Sequence, residues 1–486
     1  MTVFDEPIET LREAMRAEHI DFYLIPTADD HASEYVSDYY KVRNYYAGFT
    51  GSAGTLLIGM GMAGLWTDGR YFIQAENQLA GSQVRLFRMG SANEPTLVEY
   101  LRENLPAGGT LAFDGQVVDL ARGQDYADML ASKQGRILWD HDLAGSLWRE
   151  RPSRSSEPVY ILEEKYTGKS RQKKLEELRQ YLKEKGGDTI LLASLEDIAW
   201  LLNLRGNDVR HTPVFLAFAR IDKEKVNLYA DSNAFSKEIT TALAEDGVVL
   251  KPYMDVYDEL KTLSGGSLIY DPVKVNYALS QCVPEDVRVL PSDINEMIPK
   301  SVKNEIELDN LRRVHIKDGA AVTKFMYWLK KNVGKIYISE ISASDYLQKL
   351  RSDIDTYLDL SFDTISAYKA NAAMMHYSAT PETDAVLEPS GMLLVDSGGQ
   401  YYEGTTDITR TFILGTISEE EKKHFAVLID ADNISEKYAS SIFNEIADYG
   451  YASYRRIYGN WAKGNGWKED TLLENSINPI QQFNYT

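Results

Sequence analysis

The sequence predicts a mixed α/β and α+β chain: two α/β domains of related plan, a helix-led β-rich region, and a closing α/β segment. Three observations predict it. Two successive stretches repeat the same order of helix, apolar strand, polar loop and second strand. An amphipathic helix through Leu308–Leu329 precedes a glycine-rich block with alternating threonines. From Ala426 onward, short apolar strands alternate with helical stretches once more.

The first stretch reads as a helix over Ile8–Ala17, a strand over Phe22–Ile25, a polar loop, Tyr45-Tyr46-Ala47-Gly48 and a strand near Gly54–Ile58. The second reads as a helix over Ser170–Lys185, a strand over Thr189–Leu192, a polar loop, Trp200-Leu201-Leu202-Asn203 and a strand near Val214–Phe218. Ser170 suits a helix N-cap and Gly186-Gly187 a helix stop. Arg151-Pro152-Ser153-Arg154-Ser155-Ser156 marks the expected boundary, giving domains at 1–155 and 156–300. In the third region, 301–425, Leu308, Leu311, His315, Val322, Phe325, Met326 and Leu329 are spaced to share one helix face. The block that follows, about Leu360–Leu414, reads as β-structure, and 426–486 as a separate segment.

Lys and Arg total 52 against 73 Asp and Glu, so the net charge is 52 − 73 = −21. That balance argues against a general nucleic-acid or anionic-membrane surface. One cysteine, Cys282, permits no internal disulfide and fits a reducing compartment. Asp5, Glu6, Glu9, Arg12, Glu13, Arg16 and Glu18 crowd the N-terminus and leave no apolar signal core. With no stretch of about 18 uncharged apolar residues to span a membrane, a cytoplasmic protein is expected.

The densest chemical signal is the run Leu393-Leu394-Val395-Asp396-Ser397-Gly398-Gly399-Gln400-Tyr401-Tyr402-Glu403-Gly404-Thr405-Thr406-Asp407-Ile408-Thr409-Arg410-Thr411. It reads as a strand, a glycine turn and a second strand, with Asp396 and Asp407 on the two arms. Folding the hairpin can place both carboxylates together, and paired carboxylates call for a cation or a proton between them. Hard oxygen donors suit Mn, Mg or Ca. A hairpin with solvated acidic turn residues reads equally well from this spacing.

Wider context distinguishes the two. His376 lies just upstream in Asn371-Ala372-Ala373-Met374-Met375-His376-Tyr377-Ser378, and the run from Leu360 to Thr411 resembles the aminopeptidase P branch of the creatinase/prolidase (pita-bread) metallopeptidases. Four earlier stretches resemble the two N-terminal domains of that family: Asp29-Asp30-His31-Ala32-Ser33-Glu34-Tyr35, Gly48-Phe49-Thr50-Gly51-Ser52-Ala53-Gly54, Trp66-Thr67-Asp68-Gly69-Arg70-Tyr71 and Asp197-Ile198-Ala199-Trp200-Leu201-Leu202-Asn203-Leu204-Arg205-Gly206. The resemblance covers about 1–425. It implies a creatinase-type fold and removal of the N-terminal residue before proline from peptides. It also implies Asp396 and Asp407 as metal ligands, with Asp407 bridging two metal ions, usually Mn2+ although other divalent ions are possible. Arg70 and His376 would contact the substrate, and family precedent points to a homodimer. The implied mechanism has a bridging hydroxide attack the amide carbonyl while the metals stabilise the oxyanion.

That family's metal site takes five protein ligands: two Asp, one His and two Glu. The His and both Glu come from the second half of the pita-bread domain, whereas the last of the seven histidines here is His424. An incomplete metal site is therefore expected, in a half domain exposing a sheet face and unpaired edges. Beyond it, Ile429-Asp430-Ala431-Asp432-Asn433 and Arg456-Ile457-Tyr458-Gly459-Asn460-Trp461 resemble the start of a NYN (PIN-like) domain. There Asp430 would help bind Mg2+, while further acidic residues of that family would fall after Thr486.

Three readings follow: an Xaa-Pro aminopeptidase-type metallopeptidase with an incomplete metal site, a non-catalytic peptide-binding or dimerisation protein, and a fragment of a NYN-type ribonuclease. Charge disfavours the last, since nucleic-acid affinity rests largely on neutralised phosphates. Recombination or an assembly artefact between two genes would account for the join, and long-read resequencing through codons 400 to 450 decides that point.

Overall fold

The computed structural model describes residues 4–418, 421, 424–430, 434–443, 451–459 and 466–481. Helix α1 (Asp5–Ala17) buries Ile8, Leu11 and Met15, residues three and four apart on one stripe. It packs on a six-stranded sheet made of β1 (Phe22–Pro26), β2 (Thr55–Gly59), β3 (Met62–Thr67), β4 (Val84–Arg88), β5 (Thr110–Phe113) and β6 (Arg136–Leu138), in the order β4-β3-β2-β1-β5-β6. Successive residues of β1 serve opposite cores: Tyr23 and Ile25 face one cluster, Phe22 and Leu24 the other. A strand buried on both faces needs such a continuous apolar run.

The second domain repeats this plan. Helix α2 (Arg171–Glu184) starts where Ser170 accepts the Lys173 N–H, and past its end Gly186 turns left-handed at φ 65°. Strands β7 (Thr189–Leu192), β8 (Ala217–Asp222), β9 (Val226–Ala230), β10 (Val248–Lys251), β11 (Ser267–Tyr270) and β12 (Arg288–Pro291) lie in the order β10-β9-β8-β7-β11-β12. Position by position, both sheets share the same parallel and antiparallel pairings. One boundary differs from the sequence reading. The strand expected near Val214–Phe218 begins only at Ala217, because Asp208 takes the Leu216 N–H on its carboxylate at 2.8 Å and donates its own N–H to the Val214 carbonyl. Those contacts withdraw 214–216 from the ladder. The two domains meet where Tyr277 enters the core of the first, its N–H donating to the Val118 carbonyl at 2.7 Å.

Helix α3 (Glu305–Asn332) opens the third region with a capping box, Asn304 and Glu307 satisfying each other's N–H groups. Its buried stripe is Asn310, Val314, Asp318, Ala321, Phe325 and Leu329. Of the seven residues expected to share a face, Phe325 and Leu329 are buried, whereas His315 and Met326 are exposed. Two polar residues displace the apolar register. Asn310 donates to the carbonyls of Lys165 and Tyr166, and Asp318 pairs with Arg351 of helix α4 (Glu340–Ser352).

Two three-stranded sheets follow. Strands β13 (Tyr357–Leu360), β16 (Gly399–Tyr401) and β17 (Gly404–Thr405) form one; β14 (Ile365–Tyr368), β15 (Met392–Ser397) and β18 (Ile408–Ile413) form the other. Leu393 and Val395 of β15 pack inward on Phe325 and Leu329. Thr409, Arg410, Thr411 and Ile413 on the end strand β18 are exposed, Ile413 by 49%.

The C-terminal segment is a parallel sheet of β19 (His424–Asp430), β20 (Tyr451–Gly459) and β21 (Asn478–Gln481), with its own core of Ile429, Ala439, Ile457, Trp467, Leu472 and Ile477. Asp430 ends β19. Residues 431–433, 444–450, 460–465 and 482–486 of this segment lie outside the described residues.

Candidate active site

Asp396 sits one residue from the end of β15, paired in register with Thr409 of β18, and Asp407 immediately precedes β18. Strand alternation sends Val395 and Ser397 into the core and leaves Asp396 on the opposite, half-buried face. The turn between the arms is crowded. A Cβ on Gly398 would lie 1.9 Å from the Thr406 carbonyl and 2.2 Å from Ser361 Oγ, so no larger residue fits. Gly399 N–H donates to Thr406 Oγ1 at 3.0 Å, Thr406 N–H returns to the Gly399 carbonyl at 2.9 Å, and Ser361 Oγ donates to the Thr406 carbonyl at 2.9 Å.

The sequence-predicted carboxylates meet. Partial desolvation, then the charge and hydrogen bond of Asp396, hold the Asp407 carboxyl above its ordinary range, while Arg351 pulls the other way. Oδ1 of Asp396 is buried without a hydrogen-bond partner. An orphaned carboxylate oxygen beside a second carboxyl is the chemistry of one edge of a divalent-cation site. Among the described residues, however, no group of three or more His, Cys, Asp or Glu could hold a metal ion. The donors present therefore fit part of such a site and do not fit a dinuclear centre.

Beneath the hairpin, Arg351 and Asp318 are both fully buried. Arg351 Nε lies 2.6 Å and Nη2 3.2 Å from the Asp318 carboxylate, Tyr401 donates to the same carboxylate at 2.8 Å, and Arg351 Nη2 reaches the Ser397 carbonyl at 3.4 Å. A buried pair with this many hydrogen bonds fixes geometry, and removing either partner strands a charge.

Arg70 and His376 come from different domains that Tyr71, the residue after Arg70, links. The Arg70 guanidinium is held in a fork by Asp68, Nε at 2.8 Å and Nη2 at 3.0 Å. Its neighbour Tyr71 places its hydroxyl 3.0 Å from His376 Nδ1 and 2.6 Å from Ser52 Oγ. Burial, then the Arg70 charge, lower the His376 pKa from its usual 6.5, against opposing pulls from Asp68 and Asp396. The imidazole is thus neutral near pH 7 and feels both the arginine and the metal-type carboxylate. Asp430 ends a strand of the C-terminal sheet, a different sheet from those of Asp396 and Asp407.

Glu340 organises the loop that carries His376. Its fully buried carboxylate accepts from Tyr368 N–H at 2.5 Å, Asn371 Nδ2 at 3.1 Å, Tyr377 Oη at 2.8 Å and Ala385 N–H at 3.0 Å. Sequence reasoning assigned no role to Glu340, Asp318, Arg351, Asp68 or Tyr71. Asp68 and Tyr71 lie inside the motif that drew attention to Arg70; the other three sit on helices where a charged residue reads as a solvated face.

Residues 7–136 and 150–307 each match a model of the Creatinase/Prolidase N-terminal domain, 309–444 match Metallopeptidase family M24, and 424–486 match the NYN domain. The chain is 36% identical over 440 residues to a probable Xaa-Pro aminopeptidase P of Botryotinia fuckeliana, covering 87% of this chain and 67% of that one. A counterpart from Sordaria macrospora is 36% identical over 439 residues, covering 87% of this chain and 71% of that one. The chain belongs to the Xaa-Pro aminopeptidase P family.

A solved member of the family, the X-prolyl aminopeptidase of Caenorhabditis elegans, described as a cytosolic enzyme with a di-nuclear active site, superposes with a TM-score of 0.82 at 30% identity. The superposition covers 86% of this chain and 71% of that one. The chain spans about two thirds of the length of the family relatives it matches. The family match to M24 includes the Asp396–Asp407 hairpin and overlaps the NYN match over 424–444.

Proposed function

We propose that this chain carries the substrate-recognition half of an Xaa-Pro aminopeptidase, acting on peptides with proline in second place. Arg70 and His376 contact the peptide, and Asp396 and Asp407 are the part of a divalent-metal site that this chain carries, with manganese the ion they would help hold, in a cytoplasmic homodimer. The observation that carries this reading is the Tyr71–His376 hydrogen bond. It joins the first domain, next to Arg70, to the loop carrying His376, whose ring feels the charges of Arg70 and Asp396.

The chain's own groups divide the work by chemistry. Arg70, locked by Asp68, offers a fixed cation to a carbonyl or carboxylate of the peptide. His376, neutral because it is buried beside a cation, can donate a hydrogen bond from one ring nitrogen and accept one at the other. Family chemistry requires metal donors beyond the carboxylate pair, so binding is the primary readout and release of the first residue the secondary one. No membrane-spanning candidate occurs among the described helices: none is long and apolar enough.

Calorimetric titration of Lys-Pro-Pro into the folded chain, with Mn2+ present, tests the proposal. The expected result is binding that weakens about ten-fold or more in Arg70→Ala and in His376→Ala, the order lost with a charge-assisted hydrogen bond. Absence of binding by well-folded wild type, or binding by both variants as tight as wild type's, overturns it.

A further inference from the structure

His211 lies in the loop before β8 with a left-handed backbone, φ 63°, uncommon outside glycine although histidine tolerates it better than most residues. Its side chain is 10% exposed. Nδ1 is 2.9 Å from Asp359 Oδ2 and Nε2 is 3.1 Å from Asp363 Oδ1. Ionised carboxylate oxygens only accept, so both ring nitrogens must donate, and this geometry belongs to the imidazolium. The His211 carbonyl in turn accepts from Gln400 Nε2 at 2.9 Å, and Gln400 Oε1 accepts from Thr405 Oγ1 at 2.6 Å.

These contacts cross from the second domain to the sheet of β13, β16 and β17. Asp359 stands opposite Gln400 in that sheet, and Leu360 opposite Gly399. Gly399 and Ser361 then hold Thr406, the residue before Asp407. Two short hydrogen-bonded routes therefore run from His211 to the turn that sets Asp396 against Asp407.

We infer that His211 is a positioning residue: as an imidazolium it clamps the second domain onto the strands that form the turn between Asp396 and Asp407, and so sets the geometry in which peptide is bound. The inference rests on the peptide-binding reading above. The charged groups around it are Asp359 from β13, Asp363 from the loop after β13, Arg210 beside it (2.7 Å from Asp363), and Lys41 and Tyr35 of the first domain, both within the field of Asp363. Burial alone would lower the His211 pKa, but the hydrogen bonds to Asp363 and Asp359 outweigh it, and the net shift is upward from 6.5. For a histidine raised in this way the clamp is complete below about pH 6.5 and is lost as pH rises through the shifted value.

The test uses the full chain. Lys-Pro-Pro affinity is measured between pH 6 and 9 for wild type, His211→Gln and His211→Arg, and the protonation of His211 is followed in wild type by its imidazole 15N resonances. Referred to His211→Gln, which carries the peptide's own titration, wild-type affinity should fall about five-fold across the His211 transition, a typical coupling between linked sites. His211→Arg, a permanent cation, should hold its affinity at high pH. The inference is overturned if wild type and His211→Gln share one pH profile, or if the imidazole titrates below pH 6.5. Absence of peptide binding in all three proteins overturns the peptide reading and the positioning role together. The resonances separate that case from failure of the clamp, because they report His211 directly.

Discussion

Tyr71 and His376, 305 residues apart in sequence, share a 3.0 Å hydrogen bond between the first and third domains. Tyr71 also meets Ser52 at 2.6 Å and packs edge-on against Phe49, so its ring is fixed before the histidine arrives. Tyr71→Phe keeps the packing and removes only the hydroxyl. The expected stability change is about 1 kcal/mol, the net worth of one such bond. Peptide affinity should fall more than stability does, because His376 loses the partner that selects its tautomer. Denaturant unfolding alongside calorimetry checks both; unchanged affinity would show that the contact only joins domains.

Glu340 makes a stronger prediction. All four groups around its carboxylate are donors, so Glu340→Gln turns one acceptor oxygen into a donor facing donors. A loss of about 3 kcal/mol is expected, as for other buried charged networks broken on one side. The failure should be local first: limited proteolysis should nick the variant between 369 and 385, around His376, before the two N-terminal domains. Equal resistance in wild type and variant counts against this role.

These two residues show what was legible in the sequence and what was not. The paired α/β plan was readable because it repeats: helix, buried strand and polar loop recur in both domains, and strands covered on two faces leave continuous apolar runs. The Asp396–Asp407 pairing was readable because one turn joins its arms. Arg70 and His376 came from resemblance alone, and the Tyr71 contact that unites them depends on how two domains dock, which no local pattern encodes. The buried stripe of α3 was misread for a related reason. Asn310 and Asp318 are buried because carbonyls of 165–166 and the Arg351 guanidinium await them, partners that hydropathy cannot anticipate.

A pH dependence follows from His31, which is 1% exposed at the junction of the first two domains, with Nδ1 2.8 Å from the Ala193 carbonyl and Nε2 2.7 Å from Tyr253 Oη. Burial lowers its pKa to about 4, against a smaller pull upward from Asp30. Between that value and the unfolded one near 6.5, the unfolded chain binds more protons than the native one, so stability falls as pH drops through this window. The difference between those two values amounts to roughly 3 kcal/mol. Urea unfolding at pH 7.5, 6 and 5 should show this slope in wild type, with part of it absent in His31→Gln. Parallel slopes would place the proton uptake elsewhere.

The carboxylate pair gives a prediction whose sign reverses with metal. Asp407 is held above its ordinary range by partial desolvation and by Asp396, so its ionisation in the folded chain is resisted. For an acid raised in this way, the native state loses stability as pH climbs from the unfolded value near 4 through the folded one, and above that window the cost is fully present. Asp396→Asn removes the like charge. In chelator at pH 7 the variant should therefore melt higher than wild type. In millimolar Mn2+ the order should invert, since a cation between two carboxylates stabilises only the protein that has both, by mass action on the folded state. The Asp396 oxygen left without a hydrogen-bond partner is the physical reason to expect the inversion. Two melting series decide it. Should the variant melt lower than wild type in chelator, and Mn2+ shift both proteins equally, Asp396 and Asp407 form no cation site.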